Sequence, residues 1–170
     1  MPIRRLTPAD AAAHRELMLE AYERHPDAFT SSTSERAKLP VSWWAERLPQ
    51  GEQAPSMVLG AFDAQGRLVG AAGLSVEARI KARHKGLLFG MYVAPVARQQ
   101  GVGATLVEAV LAAARARGDL RLMQLTVTQG NDGAQALYER CGFQVFGVEP
   151  MAVRIGESYF AKVHMWCELG

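Results

Sequence analysis

The run from Arg98 to Ala104 carries two glycines at the point where a strand is expected to pass into a helix. The preceding segment, Leu87 to Val93, is mostly apolar and predicts a strand, and the following segment repeats apolar residues at helical spacing until Gly118. The first N–H groups of a helix have no partners within it, and the helix dipole favours negative charge there. Since Gly101 and Gly103 lack a Cβ, a bulky anion such as a pyrophosphate could approach this backbone closely.

Two common phosphate-binding turns fit this run poorly. A P-loop closes with Gly-Lys-Ser/Thr, whereas Gly103 is followed by Ala104 and Thr105, so a P-loop is excluded. A dinucleotide-binding turn needs a third glycine where this chain has Leu106, and no acid for the ribose is correctly placed near Arg121. A nucleotide hydrolase or dehydrogenase, which would bind ATP or NAD, is therefore the weakest alternative.

A second block, from Asn131 to Phe143, has the sequence NDGAQALYERCGF. It resembles the Asn-x-x-Ala-x-x-Leu-Tyr-x-x-x-Gly-Phe segment of the GNAT acyltransferase superfamily at every defining position. Arg98-x-x-Gly101-x-Gly103 resembles the acyl-CoA pyrophosphate loop of the same superfamily. The resemblance covers about Met57 to Phe143. It implies an α/β fold with a GNAT-like mixed central sheet of about six or seven strands, flanked by about four helices. Two parallel strands would splay apart to hold the pantetheine arm of acetyl-CoA.

The resemblance also implies which residues contact acetyl-CoA. The backbone N–H groups from Gln99 to Ala104 would bind the pyrophosphate, and Arg98 would add positive charge. The backbone of Met91 to Val93 would pair with the pantetheine amides as an added strand would. Asn131 would contact the pantetheine arm or cap the following helix. The predicted cofactor-binding residues are Met91, Tyr92, Val93, Arg98, Gln99, Gln100, Gly101, Val102, Gly103, Ala104, Asn131, Ala134 and Tyr138.

Tyr138 is the predicted catalytic residue. Attack of an amine on a thioester expels a thiolate, and a nearby phenol can protonate its sulfur. The alternative is a core tyrosine at helical spacing from Ala134 and Leu137. Many relatives place a glutamate base on the strand before the phosphate turn, but Lys85 to Val93 contains no acid. The remaining candidates for a general base are Glu77, His84, Glu149 and His164.

These features imply an N-acetyltransferase that transfers acetyl from acetyl-CoA to a small-molecule or peptide amine by direct attack in a ternary complex. A non-catalytic acyl-CoA-binding or regulatory domain is the alternative, favoured only by the missing strand glutamate.

Trp43 and Trp44 fall where the acceptor pocket is usually built, so we expect one to line it and the other to join the core. The basic residues from Arg79 to Lys85 alternate at period two, which would place them on one face of a strand, solvated or facing an anion.

The composition is that of an ordinary globular protein, with 49% hydrophobic and 21% charged residues, and 170 residues suit a single domain over residues 1–170. A net charge of only +2 does not favour nucleic acid as a partner. No 18-residue apolar run predicts a membrane span, and no signal peptide is evident at the N-terminus. Two cysteines give neither a disulfide framework nor a metal-ligand spacing, so we expect no metal and a cytoplasmic protein.

The expected order of elements is β-α-α-β-β-β-α-β-α-β-β. Strands are predicted at Ile3–Leu6, Met57–Phe62, Arg67–Val76, a third antiparallel strand ending near Val93, Leu122–Thr128, Phe143–Val148 and Tyr159–Leu169. Helices are predicted at 7–26, 41–48, 102–118 and 133–140. Residues 29–40 are predicted to form a loop, and an irregular stretch is predicted between the last two strands. Those late strands could support a homodimer.

Overall fold

Seven strands form one mixed sheet, and five α-helices accompany it in the computed structural model, which describes residues 1–170. The strands are β1 Ile3–Arg5, β2 Ser56–Phe62, β3 Leu68–Val76, β4 Lys85–Val93, β5 Leu122–Thr128, β6 Gln144–Ile155 and β7 Ser158–Glu168. The helices are α1 Ala11–Arg24, α2 Thr33–Arg36, α3 Val41–Glu46, α4 Val102–Arg117 and α5 Asp132–Arg140. Short 3₁₀ turns cover Pro8–Asp10, Ile80–Ala82 and Pro95–Ala97. None of the helices has the length and apolar character needed to cross a bilayer.

The strand order is β1-β2-β3-β4-β5-β7-β6, and every neighbouring pair is antiparallel except β4 and β5. The long helix α4 connects the two parallel strands, as a parallel crossover requires. Both α1 and α4 pack on β3 and β4. The predicted α/β fold with a mixed sheet and a parallel pair is therefore confirmed.

The parallel strands β4 and β5 are paired only at their beginnings. Lys85, Gly86 and Leu87 are in register with Leu122, Met123 and Gln124, and the pairing ends there. Farther along β4, Gly90 and Met91 together oppose the single residue Ala72 of β3, which makes a β-bulge. Gly90 has φ +59°, a conformation that suits glycine. Beyond Leu87, the β5-facing edge of β4 is therefore left without a strand partner.

The prediction of a loop over residues 29–40 is wrong for Thr33–Arg36, which form the short helix α2. The Ser32 hydroxyl accepts a hydrogen bond of 3.2 Å from the backbone N–H of Glu35 and so caps this helix. The segment is rich in Ser and Thr, which favour both loops and helix caps, so its composition did not distinguish them.

The predicted irregular stretch between the late strands is also wrong. β6 and β7 form a long hairpin whose turn contains Gly156, at φ +60°. The register shifts between Glu149 and Val153, and Met151 has φ +51°. This bulge interrupts the alternation of side chains, and sequence analysis depends on that alternation to recognise a strand.

The basic residues from Arg79 to Lys85 do not share one face of a strand. The chain forms a 3₁₀ turn at Ile80–Ala82, and β4 begins only at Lys85. Arg79 instead pairs with Glu77, at 3.2 Å from Nε to Oε1, on the exposed surface. The hypothesis of a single basic strand face is therefore wrong, because a turn interrupts the alternation.

Candidate active site

A cavity of about 1300 Å³ runs through the molecule where β4 and β5 diverge. At one end it is lined by the turn before α4, and at the other by residues of α1, α2 and α3. Every predicted site residue except Gln100 lines this cavity. The side chain of Gln100 turns away and donates a hydrogen bond of 3.2 Å to the carbonyl oxygen of Val96.

The turn before α4 presents a series of free backbone donors. The first helical hydrogen bond runs from the N–H of Thr105 to the carbonyl of Gly101, and no N–H from Gln99 to Ala104 donates to another protein group. Gln99 and Gly101 have φ values of +60° and +74°. Alternation of left-handed and ordinary backbone turns successive N–H groups toward one side and forms an anion-binding nest. Together with the α4 dipole, this geometry suits a diphosphate.

The two glycines of this turn have different structural roles. A Cβ on Gly101 would meet no protein atom within 4 Å. Glycine is therefore needed at this position for its positive φ and for the open space that it leaves beside the backbone, not for packing within the protein. A Cβ on Gly103 would lie 3.2 Å from Cδ2 of Leu137 and 3.3 Å from Cε of Met91. Gly103 therefore lets α4 pack closely against α5 and β4.

Arg98 is held at the end of β4 without a carboxylate partner. Its Nε donates to the carbonyl oxygen of Val93 at 3.0 Å, and its Nη2 lies 3.0 Å from Nε2 of His25. Its guanidinium lies 5.7 Å from the ring centroid of Tyr92, whose hydroxyl donates to Glu20 at 2.9 Å. Arg98 thus adds a positive charge without an ion-pair partner at the residue that precedes the free N–H groups.

Asn131 both caps α5 and lines the cavity. Its side-chain oxygen accepts a hydrogen bond of 3.3 Å from the N–H of Ala134, so the helix-capping alternative holds. Its exposed position on the cavity wall also leaves its side-chain amide group free to contact a ligand. The two alternatives for Asn131 are compatible.

Tyr138 lies on α5 in the cavity wall, and only 7% of its surface is exposed. Its ring packs edge-on against Phe143, with the ring centroids 6.1 Å apart. Its hydroxyl makes no hydrogen bond to the protein, although it is not fully shielded from the cavity. Burial raises the pKa of Tyr138 to about 12, and the nearby Cys141 thiol acts in the same direction. The phenol therefore keeps its proton at neutral pH and can act as a proton donor.

None of the four sequence candidates for a general base lines the cavity. The carboxylate of Glu77 forms an ion pair with Arg79. His84 is exposed, two residues after the 3₁₀ turn at Ile80–Ala82. Glu149 and His164 pair with each other on the β6–β7 hairpin, with 3.0 Å between Oε2 and Nε2. Their side chains do not reach the cavity even though β7 contributes Lys162 to its wall, and their positions along the chain could not reveal this.

A different histidine, His14 of α1, lines the cavity instead. Burial lowers the pKa of His14 to about 4, so its imidazole is neutral at pH 7. Its Nδ1 is buried without a hydrogen-bond partner, and its ring meets the edge of Trp44 with a centroid distance of 5.7 Å. No motif or spacing in the sequence pointed to His14, because it lies in a helix without a motif and far along the chain from the phosphate turn.

Lys162 of β7 is a second cavity residue that sequence analysis missed. Its ammonium donates to the hydroxyl of Thr128 at 3.0 Å and to the carbonyl of Ala28 at 3.2 Å. The Thr128 hydroxyl in turn donates to the carbonyl of Asp27 at 2.6 Å. Burial lowers the pKa of Lys162, while the Asp27 charge partly opposes that shift. This network fixes the chain after α1 to β5 and β7. The signal in the sequence was a lysine at an inward position of an apolar strand.

The far end of the cavity has a wall of side chains from the first three helices and from the residue that follows α3, here called the helical wall. Its members are His14, Arg36, Trp43, Trp44 and Arg47. Trp44 is buried and Trp43 is partly exposed, with their ring centroids 5.3 Å apart. Trp44 belongs to the buried core and Trp43 lines the cavity, as expected, but Trp44 also lines the cavity, which was not expected. No group of three or more His, Cys, Asp or Glu side chains could hold a metal ion.

Comparison with known proteins gives matches over most of the chain. The model of the acetyltransferase (GNAT) family matches residues 15–143. L-Methionine sulfoximine/L-methionine sulfone acetyltransferase of Pseudomonas paraeruginosa is 28% identical over 118 residues, which is 69% of this chain. This chain spans 64% of the length of that relative.

Solved structures show the same fold. An acetyltransferase of the GNAT family from Streptococcus pneumoniae superposes with a TM-score of 0.86 at 24% identity, covering 98% of each chain. A phosphinothricin acetyltransferase from Sinorhizobium meliloti, determined in complex with acetyl-CoA, gives 0.81 at 21% identity, covering 99% of this chain and 88% of the other. At these identities the likeness concerns the fold alone.

Proposed function

Since the chain belongs to the acetyltransferase (GNAT) family, we propose that it transfers the acetyl group of acetyl-CoA to the amino group of a small-molecule acceptor. The observation that carries this proposal is the series of free N–H groups from Gln99 to Ala104, which opens into the same cavity as the Tyr138 phenol. In an acyl-CoA, the diphosphate needs such N–H donors and the departing sulfur needs a proton donor such as the phenol.

The residues present suit acetyl-CoA as the acyl donor. The nest and the start of α4 would hold the diphosphate, with Arg98 compensating its charge. The unpaired edge of β4, including Met91 to Val93, would receive the pantetheine amides as a neighbouring strand would. When bound, acetyl-CoA supplies an acetyl group on a thioester that an amine can attack.

Tyr138 supplies the proton that the departing sulfur needs. As the amine nitrogen bonds to the acetyl carbon and the carbon–sulfur bond breaks, the Tyr138 hydroxyl donates its proton to sulfur. The amine nitrogen releases a proton to solvent as the amide forms, and the Tyr138 phenolate takes a proton from solvent, so the transfer balances. A backbone N–H near Val93 would polarise the acetyl carbonyl. A pKa of about 12 keeps Tyr138 protonated at the start of each turnover.

The acceptor would enter at the helical wall, opposite the diphosphate. The named Pseudomonas relative acts on methionine sulfoximine and methionine sulfone, which makes these amino acids the first acceptors to test. The alternative, an acyl-CoA-binding domain without transferase activity, is favoured by the absence of a carboxylate along β4.

An assay of free CoA thiol distinguishes the two functions. We expect acetyl-CoA and a panel of amino acids, polyamines, aminoglycosides and peptides to release CoA in the presence of at least one small amine. Calorimetry of acetyl-CoA binding provides the parallel measurement. Tight binding without turnover on the whole panel would favour the binding domain, and absence of binding would reject both functions.

A further inference from the structure

Arg36 is an arginine without a carboxylate partner in the cavity wall. Its Nη2 donates to the hydroxyl of Ser31 at 2.9 Å, while its Nε is buried and has no hydrogen-bond partner. Its guanidinium lies 4.5 Å from the ring centroid of Trp43. Its Nη1 also makes no hydrogen bond to the protein but is not buried, so this donor is free for a ligand in the cavity.

A second arginine approaches the same indole. The guanidinium of Arg47 lies 3.5 Å from the Trp43 ring centroid, and its Nη1 donates to the Trp43 carbonyl at 3.1 Å. Neither Arg36 nor Arg47 forms a salt bridge. Two like charges held close together without an anion repel each other, and a bound anion would relieve that repulsion.

The rest of the helical wall also lacks partners for its polar atoms. Nε1 of Trp44 and Nδ1 of His14 are both buried and make no hydrogen bond. The only carboxylate among the cavity-lining residues is Asp27, whose charge is felt by Lys162. The donors that the helical wall offers are therefore the guanidinium groups of Arg36 and Arg47, and the wall has no negative charge of its own.

The diphosphate cannot account for this wall. The diphosphate site lies at the start of α4, which packs on β2, β3, β4 and α5. The helical wall belongs to α1, α2 and α3, and α3 packs on α1 and the turn at Pro8–Asp10. The unpaired positive charges at this end of the cavity are thus left for the acceptor.

We propose that the helical wall binds a carboxylate of the acceptor, with Arg36 as its anchor, so that the acceptor is a free amino acid or a similar small amine with a carboxylate. The guanidinium presents its N–H groups in a planar fork that matches the two oxygens of a carboxylate. The fixed carboxylate would orient the neighbouring amine toward the thioester. This inference rests on the acetyltransferase function proposed above.

The test compares acceptors that differ only in the carboxylate. L-Methionine sulfone and L-phenylalanine are each assayed beside the corresponding carboxamide and decarboxylated amine. Loss of a hydrogen bond to a charged group predicts that wild-type kcat/KM falls roughly 10- to 100-fold for the amide and the amine. Arg36→Met should remove this preference, and Arg36→Lys should retain part of it.

Arg15→Met is the matched control variant. Arg15 donates to the carbonyl of Ala37 at 2.9 Å, close to α2, but does not line the cavity. It should keep the full preference for the carboxylate. Circular dichroism of each variant checks that the fold is retained.

Binding measurements separate this inference from the proposed function. The same acids, amides and amines are titrated into wild-type protein and Arg36→Met, each saturated with CoA. Acid-selective binding that Arg36→Met abolishes, without any turnover, would reject the transferase and retain the carboxylate subsite. Equal use or equal binding of acids and amides by the wild type, or a preference that survives Arg36→Met, would overturn the subsite. A stronger preference for O-phosphoethanolamine than for β-alanine would overturn the carboxylate assignment.

Discussion

Burial sets the protonation state of two cavity side chains, Tyr138 and His14. Desolvation disfavours the charged form of each, which raises the pKa of the phenol to about 12 and lowers that of the imidazole to about 4. At neutral pH the cavity therefore holds a neutral proton donor on α5 and a neutral imidazole on α1. The positive charges along its wall come from arginine and lysine.

Replacing Tyr138 with phenylalanine should lower kcat about 100-fold, because the sulfur would leave without a proton donor. The dissociation constant of acetyl-CoA should change little, since the phenyl ring can keep its packing against Phe143. Steady-state kinetics and calorimetry measure the two effects. Tyr159→Phe, at an exposed tyrosine of β7, is the control and should have no effect. An unchanged kcat in Tyr138→Phe would remove this residue from the mechanism.

The depressed pKa of His14 predicts a stability that depends on pH. Between pH 6.5 and about 4 the unfolded chain binds a proton at this residue that the folded chain does not, so stability is lost as the pH falls through this window. The loss attributable to His14 should reach about 3 kcal/mol near pH 4. Urea unfolding at pH 7 and pH 4.5 should show a smaller loss in His14→Leu than in the wild type. His84→Leu, at an exposed histidine, is the control and should lose as much stability as the wild type. Equal losses in His14→Leu and the wild type would contradict the depressed pKa of His14.

The beginning of α4 is the element on which binding of the acyl donor depends. Gly101, which caps its N-terminus, has a left-handed backbone conformation, and so does Gly118 after its last turn. Between them, Val102, Leu106 and Val110 bury the apolar stripe that holds the helix on the sheet. A well-packed helix thus keeps its first turn rigid while leaving the N–H groups there free for a ligand.

Gly101→Val should weaken acetyl-CoA binding at least about tenfold. A β-branched residue at φ +74° carries a strain of about 1–3 kcal/mol, and its side chain would occupy the open space beside the free N–H groups. Gly66→Val is a matched control, because Gly66 has φ +76° and equally open surroundings in the turn between β2 and β3. Calorimetry should show a binding defect in Gly101→Val alone. Retained affinity in Gly101→Val would count against the diphosphate site.

At the scale of the whole molecule, one cluster of 35 buried residues connects the sheet with the helices. The sheet ends in the long edge strand β6. Several large apolar side chains of β6 are exposed, namely Val145, Phe146, Val148 and Met151. An exposed apolar edge strand favours pairing with another chain.

We expect the protein to form a homodimer through β6. Light scattering after size-exclusion chromatography should give twice the mass of the chain, and Phe146→Asp should shift the protein toward monomer because it introduces a charge into the apolar edge. Ile80→Asp changes a more exposed apolar residue elsewhere and should leave the dimer intact. A wild-type protein that remains monomeric at high concentration would reject this expectation.

The sequence by itself determined the features that consecutive residues build. The phosphate turn needs a strand, positive φ at Gly101 and a helix start within a few residues, and the block from Asn131 to Phe143 builds a capped helix in the same local way. Local conformation depends on neighbouring side chains, so these elements could be predicted and the structure places them as expected. Predictions failed at α2, at the 3₁₀ turn after β3 and at the β6 bulge, where one composition or alternation fits two conformations.

Only the tertiary structure decided which distant side chains share the cavity. His14, Arg36 and Lys162 belong to three elements far apart in the chain, and none lies in a recognisable motif. Their convergence follows from the divergence of β4 and β5, because opening the sheet creates the space that all three surround. Burial, which sets the pKa of Tyr138 and His14, is likewise a property of the packed molecule and not of the local sequence.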